Sequence, residues 1–190
     1  MPARDASSLE DFSFFAIVVP LTIKVTHSEQ LKFWCNSMTQ DILLYPPELA
    51  TQFISEFEQG PKGGPALESY KCPAGVWTIG FGHTKGVHPD EHITRAEAYD
   101  LLDKDLVHTQ EELAALVHVP VTENQFIALM SFVFNFGITK CRRYTLFKMV
   151  NAESEDGIRE WWPKYCNPGT AYEKGLRRRR YAELELFFRK

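Results

Sequence analysis

The spacing of apolar residues divides this chain into elements. Leu49, Phe53, Ile54 and Phe57 share one face of a helix over Glu48 to Glu58. That helix can begin at Pro46-Pro47, because proline suits a first helical turn. Gln59-Gly-Pro-Lys-Gly-Gly-Pro65 then stops it and forms a loop. A turn at Pro73 to Gly75 leads into a short strand, Val76 to Ile79, and a glycine-spaced run, Gly80-Phe-Gly-His83. Gly80 and Gly82 allow backbone shapes or close approaches that a side chain would obstruct. Thr94, with Glu97 three residues on, predicts a capping box at the start of a long helix through Leu101, Leu102 and Leu106 and past Leu113. Thr122-Glu-Asn-Gln125 opens the next helix. Phe126, Leu129, Met130, Phe132, Val133 and Phe134 make it apolar nearly all round, which marks a buried centre, and Gly137 ends it. Tyr144 to Val150, Gly157 to Tyr165 and Leu176 to Phe188 supply further helices. Helices before and after one small β region predict an α+β protein, mostly α.

Residues 1 to 46 read as an extension ahead of a body over 47 to 190. Ala16 to Val25 is rich in β-branched residues and suits a strand, and Ser28 to Leu44 holds a helical stretch. Phe12 to Ile23 is the best apolar run, but Pro20 interrupts it and it falls short of the roughly 20 residues that span a bilayer. Asp5, Glu10 and Asp11 precede it, where a secretory signal carries positive charge. It reads as a buried strand or as a degenerate membrane anchor.

Composition narrows the class. At 44% hydrophobic and 13% aromatic, the 190 residues can bury a packed core. A net charge of −4 argues against a polycation that seeks nucleic acid in bulk. Cys35, Cys72, Cys141 and Cys166 are widely spaced with no Cys-x-x-Cys pair, so a zinc site has little support. Folding in a bacterial cytosol would leave them mostly as free thiols.

The densest chemistry lies in Tyr70-Lys-Cys-Pro-Ala-Gly-Val-Trp-Thr-Ile-Gly-Phe-Gly-His-Thr84, which brings a thiol, a hydroxyl and an imidazole into one short stretch. Val76 to Thr84 resembles the active-site strand of the phage-type lysozymes, the T4-like endolysins of glycoside hydrolase family 24. Ile54-Ser-Glu-Phe-Glu58 resembles the end of their first catalytic helix, Val119 to Leu129 and Phe132 to Gly137 their large-lobe helices, and Gly175 to Glu183 their arginine-rich last helix. The similarity runs in order from about residue 47 to the end. It implies a two-lobed lysozyme-like fold: a small β-sheet lobe and a helical lobe joined by the long helix that starts near Thr94.

The resemblance assigns roles residue by residue. Hydrolysis of a glycosidic bond needs a proton for the leaving oxygen, and a nucleophile or an activated water on the other face. Glu58 takes the place of the general acid, because Phe-Glu followed closely by glycine is the family pattern; Glu56 is its nearest competitor and Glu68 a distant one. Cys72 stands where many relatives carry aspartate and some carry cysteine. Its alternative reading is a small buried hydrophobe or a disulfide partner, with Cys35 as the candidate partner. Thr78 would hold the attacking water or the sugar. His83 is implied to pair structurally with Asp105 rather than to act on substrate. Four consecutive arginines, Arg177 to Arg180, spread around a helix and suggest partly structural, partly groove-lining duty. Asn135, Trp162 and Arg178 are candidate substrate contacts. The loop between Glu58 and Cys72 is longer than the resemblance implies, which leaves the facing of these two residues to be tested.

The expectation is a muramidase of the endolysin type, cutting the β-1,4 bond between N-acetylmuramic acid and N-acetylglucosamine in bacterial peptidoglycan, monomeric, with no metal, organic cofactor or nucleic acid. The residues leave inversion and retention open, and the resemblance leans to inversion. It would be made in a bacterial cytoplasm and act at the periplasmic cell wall. The alternatives are a secreted antibacterial effector and a catalytically silent peptidoglycan-binding module on the same fold.

Overall fold

A computed structural model describes residues 42 to 190. The strand expected at Ala16 to Val25, the apolar run Phe12 to Ile23, Cys35 and all but the end of the helical stretch Ser28 to Leu44 lie outside the described residues. A 3₁₀ turn, Pro47–Ala50, leads into α1, Thr51–Ser55. An antiparallel hairpin follows, β1 Ala66–Lys71 and β2 Trp77–Gly80. Then come α2 Arg95–Ala114, α3 Glu123–Phe136, α4 Ile138–Cys141, α5 Thr145–Asn151, α6 Glu155–Trp161, a 3₁₀ turn Trp162–Lys164, and α7 Glu173–Phe187. The hairpin lobe and the helical lobe share the long α2, and the fold is α+β, mostly α.

Local chemistry sets the boundaries of the two longest central helices. At Thr94 the hydroxyl accepts from the Glu97 amide at 3.2 Å, and the Glu97 carboxylate accepts from the Thr94 amide at 2.7 Å. Thr122 and Gln125 repeat this reciprocal cap on α3. Gly137, at φ 74°, stops α3 in a conformation that L side chains rarely adopt. In the hairpin, Gly80 has φ 63°, and an added Cβ would meet Ala98 and Ile93 at 3.7 Å, so this strand end packs directly on α2.

α3 occupies the middle of the helical lobe. Phe126, Leu129, Met130, Phe132 and Val133 are fully buried, and Phe132 meets Phe147, Trp162 and Tyr165 edge-on at ring centre distances of 5.6 to 5.7 Å. Burial on this scale stabilises by about 1.5–3 kcal/mol per large side chain.

Three expectations are corrected. The helix over Glu48 to Glu58 is instead a 3₁₀ turn and a short α1, and it tightens at its end, where the Phe57 amide donates to the Ile54 carbonyl at 3.0 Å. β1 was not anticipated, because a register irregularity between Ala66 and Tyr70 erases the alternation that marks a strand. Pro163 breaks the helix expected over Gly157 to Tyr165 into α6 and a 3₁₀ turn. The packed body also includes residues before Pro46. Ile42 is fully buried, Gln110 donates to the carbonyls of Ile42 (2.8 Å) and Tyr45 (2.7 Å), and the Tyr45 hydroxyl donates to the Val121 carbonyl at 2.9 Å.

Candidate active site

Glu58 leaves the end of α1 with its amide donating to the Ile54 carbonyl at 3.1 Å. Its carboxylate is about one-fifth exposed and forms an ion pair with Nη1 of Arg179 on α7. The guanidinium of Arg179 is buried and fully committed. Nε donates to Ser131 Oγ and to Glu183 Oε1, each at 3.1 Å, and Nη2 donates to the Ser131 carbonyl at 3.0 Å. Glu183, with no exposed surface, also accepts from Ser131 Oγ (2.6 Å), Arg180 Nη2 (2.7 Å) and Trp162 Nε1 (2.9 Å). Two carboxylates therefore face two guanidiniums, and their formal charges cancel. Arg180 lies against the rings of Phe132 (4.5 Å) and Phe136 (4.8 Å). Burial brings its pKa down to about 10, still cationic at neutral pH.

The hairpin carries the other two catalytic candidates, Cys72 and Thr78. Tyr70 pairs with Thr78 and Lys71 with Trp77 across the strands, and the Cys72 amide donates to the Val76 carbonyl at 3.0 Å as the turn closes. Thr78, almost fully buried, donates its hydroxyl proton to the Val76 carbonyl at 3.1 Å and keeps its oxygen lone pairs free. The Cys72 thiol is partly exposed and unpaired. Its pKa is held below the ordinary value, chiefly by hydrogen bonds from the backbone at Val76 and Ala74, with a smaller contribution from the Thr78 hydroxyl. This turn therefore eases ionisation of the thiol without a cation beside it: Lys71 points to the other face, 5.3 Å from the Trp77 ring centre.

Two hollows meet at Glu58 and Asn135. The larger, about 920 Å³, is lined by Phe57, Lys140, Tyr172, Leu176 and Arg178; the smaller, about 330 Å³, is lined by Phe81, His83, Asp105 and His108. Together they form a groove of a size suited to sugars. The longer loop leaves Glu58 lining both hollows, whereas Cys72 and Thr78 line neither.

The remaining candidates divide. His83 Nδ1 lies 2.9 Å from Asp105 Oδ2, in the middle of α2, and Nε2 lies 2.9 Å from the Lys85 carbonyl oxygen. Asn135 lines both hollows, and its buried Oδ1 has no hydrogen-bond partner among the described residues. Arg178 is exposed on the larger hollow. Glu56 lines that hollow too, whereas Glu68 lies on the surface with Lys62 and His92. Trp162 is a correction: it has no exposed surface, and its indole is spent on Glu183, so it belongs to the core and not to the substrate. Arg179, Ser131 and Glu183, which organise the Glu58 carboxylate, carry no mark of that task in the sequence beyond the i, i+4 spacing of Arg179 and Glu183 on the last helix.

The comparisons with known proteins fall on this same region. The family model for phage lysozyme matches residues 62–183. An endolysin of Acyrthosiphon pisum secondary endosymbiont phage 1 is 35% identical over 128 residues, 65% of this chain and 88% of that one. A SAR-endolysin of Bacteriophage PS119 is 33% identical over 133 residues, 67% of this chain and 80% of its own length. Among solved structures, the muramidase domain of SpmX from Asticaccaulis excentricus superposes with a TM-score of 0.67 at 32% identity, covering 74% of this chain and 95% of that domain. The chain belongs to the phage lysozyme family. It is a glycoside hydrolase of the endolysin type.

Proposed function

We propose that this lysozyme hydrolyses the β-1,4 bond between N-acetylmuramic acid and N-acetylglucosamine in bacterial peptidoglycan, with Glu58 as general acid and Cys72 and Thr78 as holders of the attacking water. The observation that carries this reading is a pair of unlike clusters, an anchored carboxyl on the helical side and a thiol with a hydroxyl on the hairpin. On the helical wall, Arg179 fixes a partly exposed carboxyl at the meeting point of the two hollows. On the hairpin wall, an acidified thiol and a hydroxyl with free lone pairs lie side by side. Glu58 gives its proton to the leaving glycosidic oxygen. Water held by the Cys72 sulfur and the Thr78 oxygen attacks the anomeric carbon from the other face and passes a proton to the Cys72 thiolate, so the configuration inverts.

Asn135 and Arg178 would contact the substrate along the groove, and the His83–Asp105 pair would brace the loop after β2 against α2. The enzyme would act as a monomer at the periplasmic face of the cell wall, which fits its likeness to SAR-endolysins. Among the described residues no helix is long and apolar enough to cross a membrane. The test is turbidity loss of outer-membrane-permeabilised Gram-negative cells. Wild type is expected to clear them, and Glu58→Gln is expected not to. Clearing by Glu58→Gln at the wild-type rate would remove Glu58 as the acid.

A further inference from the structure

Tyr70 is a phenol that the reading above leaves without a task. It stands directly opposite Thr78 in the hairpin register and two residues before Cys72. Opposite residues of an antiparallel pair share a face, as do residues two apart on a strand. Tyr70, Cys72 and Thr78 therefore project from the same side of the hairpin, while Lys71 projects from the other and lies over Trp77. Tyr70 is half-buried, and no hydrogen bond from the described residues engages its hydroxyl. Burial, and then the negative charges that Cys72 and Glu58 carry when ionised, raise its pKa above the usual phenol value. Both flanking groups are thus close enough for their charge to be felt at the phenol, and the phenol keeps its proton throughout the working range.

We propose that the Tyr70 hydroxyl is a positioning residue of the reaction: it donates a hydrogen bond to the attacking water that Cys72 and Thr78 hold. This inference rests on the assignment of Glu58, Cys72 and Thr78 given above. The geometry of water makes the requirement concrete. Its two protons go to acceptors, the Cys72 sulfur and the Thr78 oxygen, whose one proton is spent on either the Val76 carbonyl or the Cys72 sulfur. One lone pair points at the anomeric carbon. The other lone pair needs a donor, and neither Thr78 nor an ionised Cys72 has one left to give. A phenol that stays neutral supplies that fourth contact without competing for the water's proton.

The test is Tyr70→Phe beside wild type and Glu58→Gln, assayed on soluble, uncrosslinked peptidoglycan strands with kcat and KM resolved. Phenylalanine keeps the ring and its packing and removes only the donor. The expected result is a kcat lower by roughly tenfold or more, the worth of one oriented hydrogen bond, with KM and Tm close to wild type. A kcat within about twofold of wild type would overturn the role of the phenol, and so would a change confined to KM. If Glu58→Gln is inactive while Tyr70→Phe turns over normally, only this inference fails. If Glu58→Gln is fully active, the assignment beneath it fails as well.

Discussion

The helical wall and the hairpin wall of the candidate site position their groups by opposite means. On the helical wall a carboxyl is aimed by charge: Glu58 meets Arg179, which is locked by Ser131 and Glu183, which also binds Arg180 and Trp162. Every link except the first is buried, and each link depends on the next. On the hairpin wall the polar groups are aimed by backbone: Cys72 by the amides of a tight turn, Thr78 by one carbonyl. Ionic links lose strength together when one partner goes, because the charge left behind is stranded. Backbone links survive most side-chain changes. The buried links of the helical wall are therefore expected to fail in stability and activity together, and its exposed end and the hairpin wall in activity alone.

Glu183→Gln is the sharpest way to break this contrast. It leaves Arg179 and Arg180 buried with no carboxylate between them. Urea unfolding is expected to show a loss of about 3–5 kcal/mol, with lytic activity falling in parallel. Glu58→Gln lies at the exposed end of the same chain of contacts. It is expected to cost about 10²–10⁴-fold in lytic rate while Tm stays nearly unchanged. Thr78→Ala, on the hairpin wall, is expected to slow lysis by roughly tenfold to a hundredfold, read by the same turbidity assay, with little loss of stability. A loss of several kcal/mol there would erase the distinction between the walls.

His83→Ala removes an ion pair that is only partly buried and should lower stability by about 1 kcal/mol, leaving turnover in the folded protein intact. The smallest effect is a difference in reactivity. With Cys35 replaced, iodoacetamide near neutral pH is expected to modify Cys72 first. Its thiol is acidified and partly exposed, whereas burial pushes that of Cys141 up to about 12. Peptide mass mapping after brief exposure gives the order of labelling, and Cys141 reacting ahead of Cys72 would contradict it.

What the chain spelled out in advance was whatever depends on neighbours in sequence. The caps at Thr94 and Thr122 are local, since each requires only a partner three residues on, and both stand where the pattern put them. The hairpin turn and the glycines after β2 were legible for the same reason. What escaped was long-range. Among four consecutive arginines, nothing local tells which one points inward. Arg178 was picked for the groove and is exposed on it, while Arg179 reaches Glu58 across 121 positions of chain. Trp162 was misread because an aromatic's destination depends on which carboxylate folds over it, and Glu183 does so only once α7 docks. β1 was missed because its irregular pairing with β2 leaves no periodic trace.

That 121-residue reach has a consequence for when the site is completed. Glu58 is made well before the partner that anchors it, Arg179 on α7. At a synthesis rate of about 5–20 residues per second, the ribosome needs several seconds between the two. Any nascent or truncated product that ends before residue 179 has a glutamate with nothing to seat it. The seating of Glu58 on Arg179 is therefore expected only once residue 179 has left the ribosome.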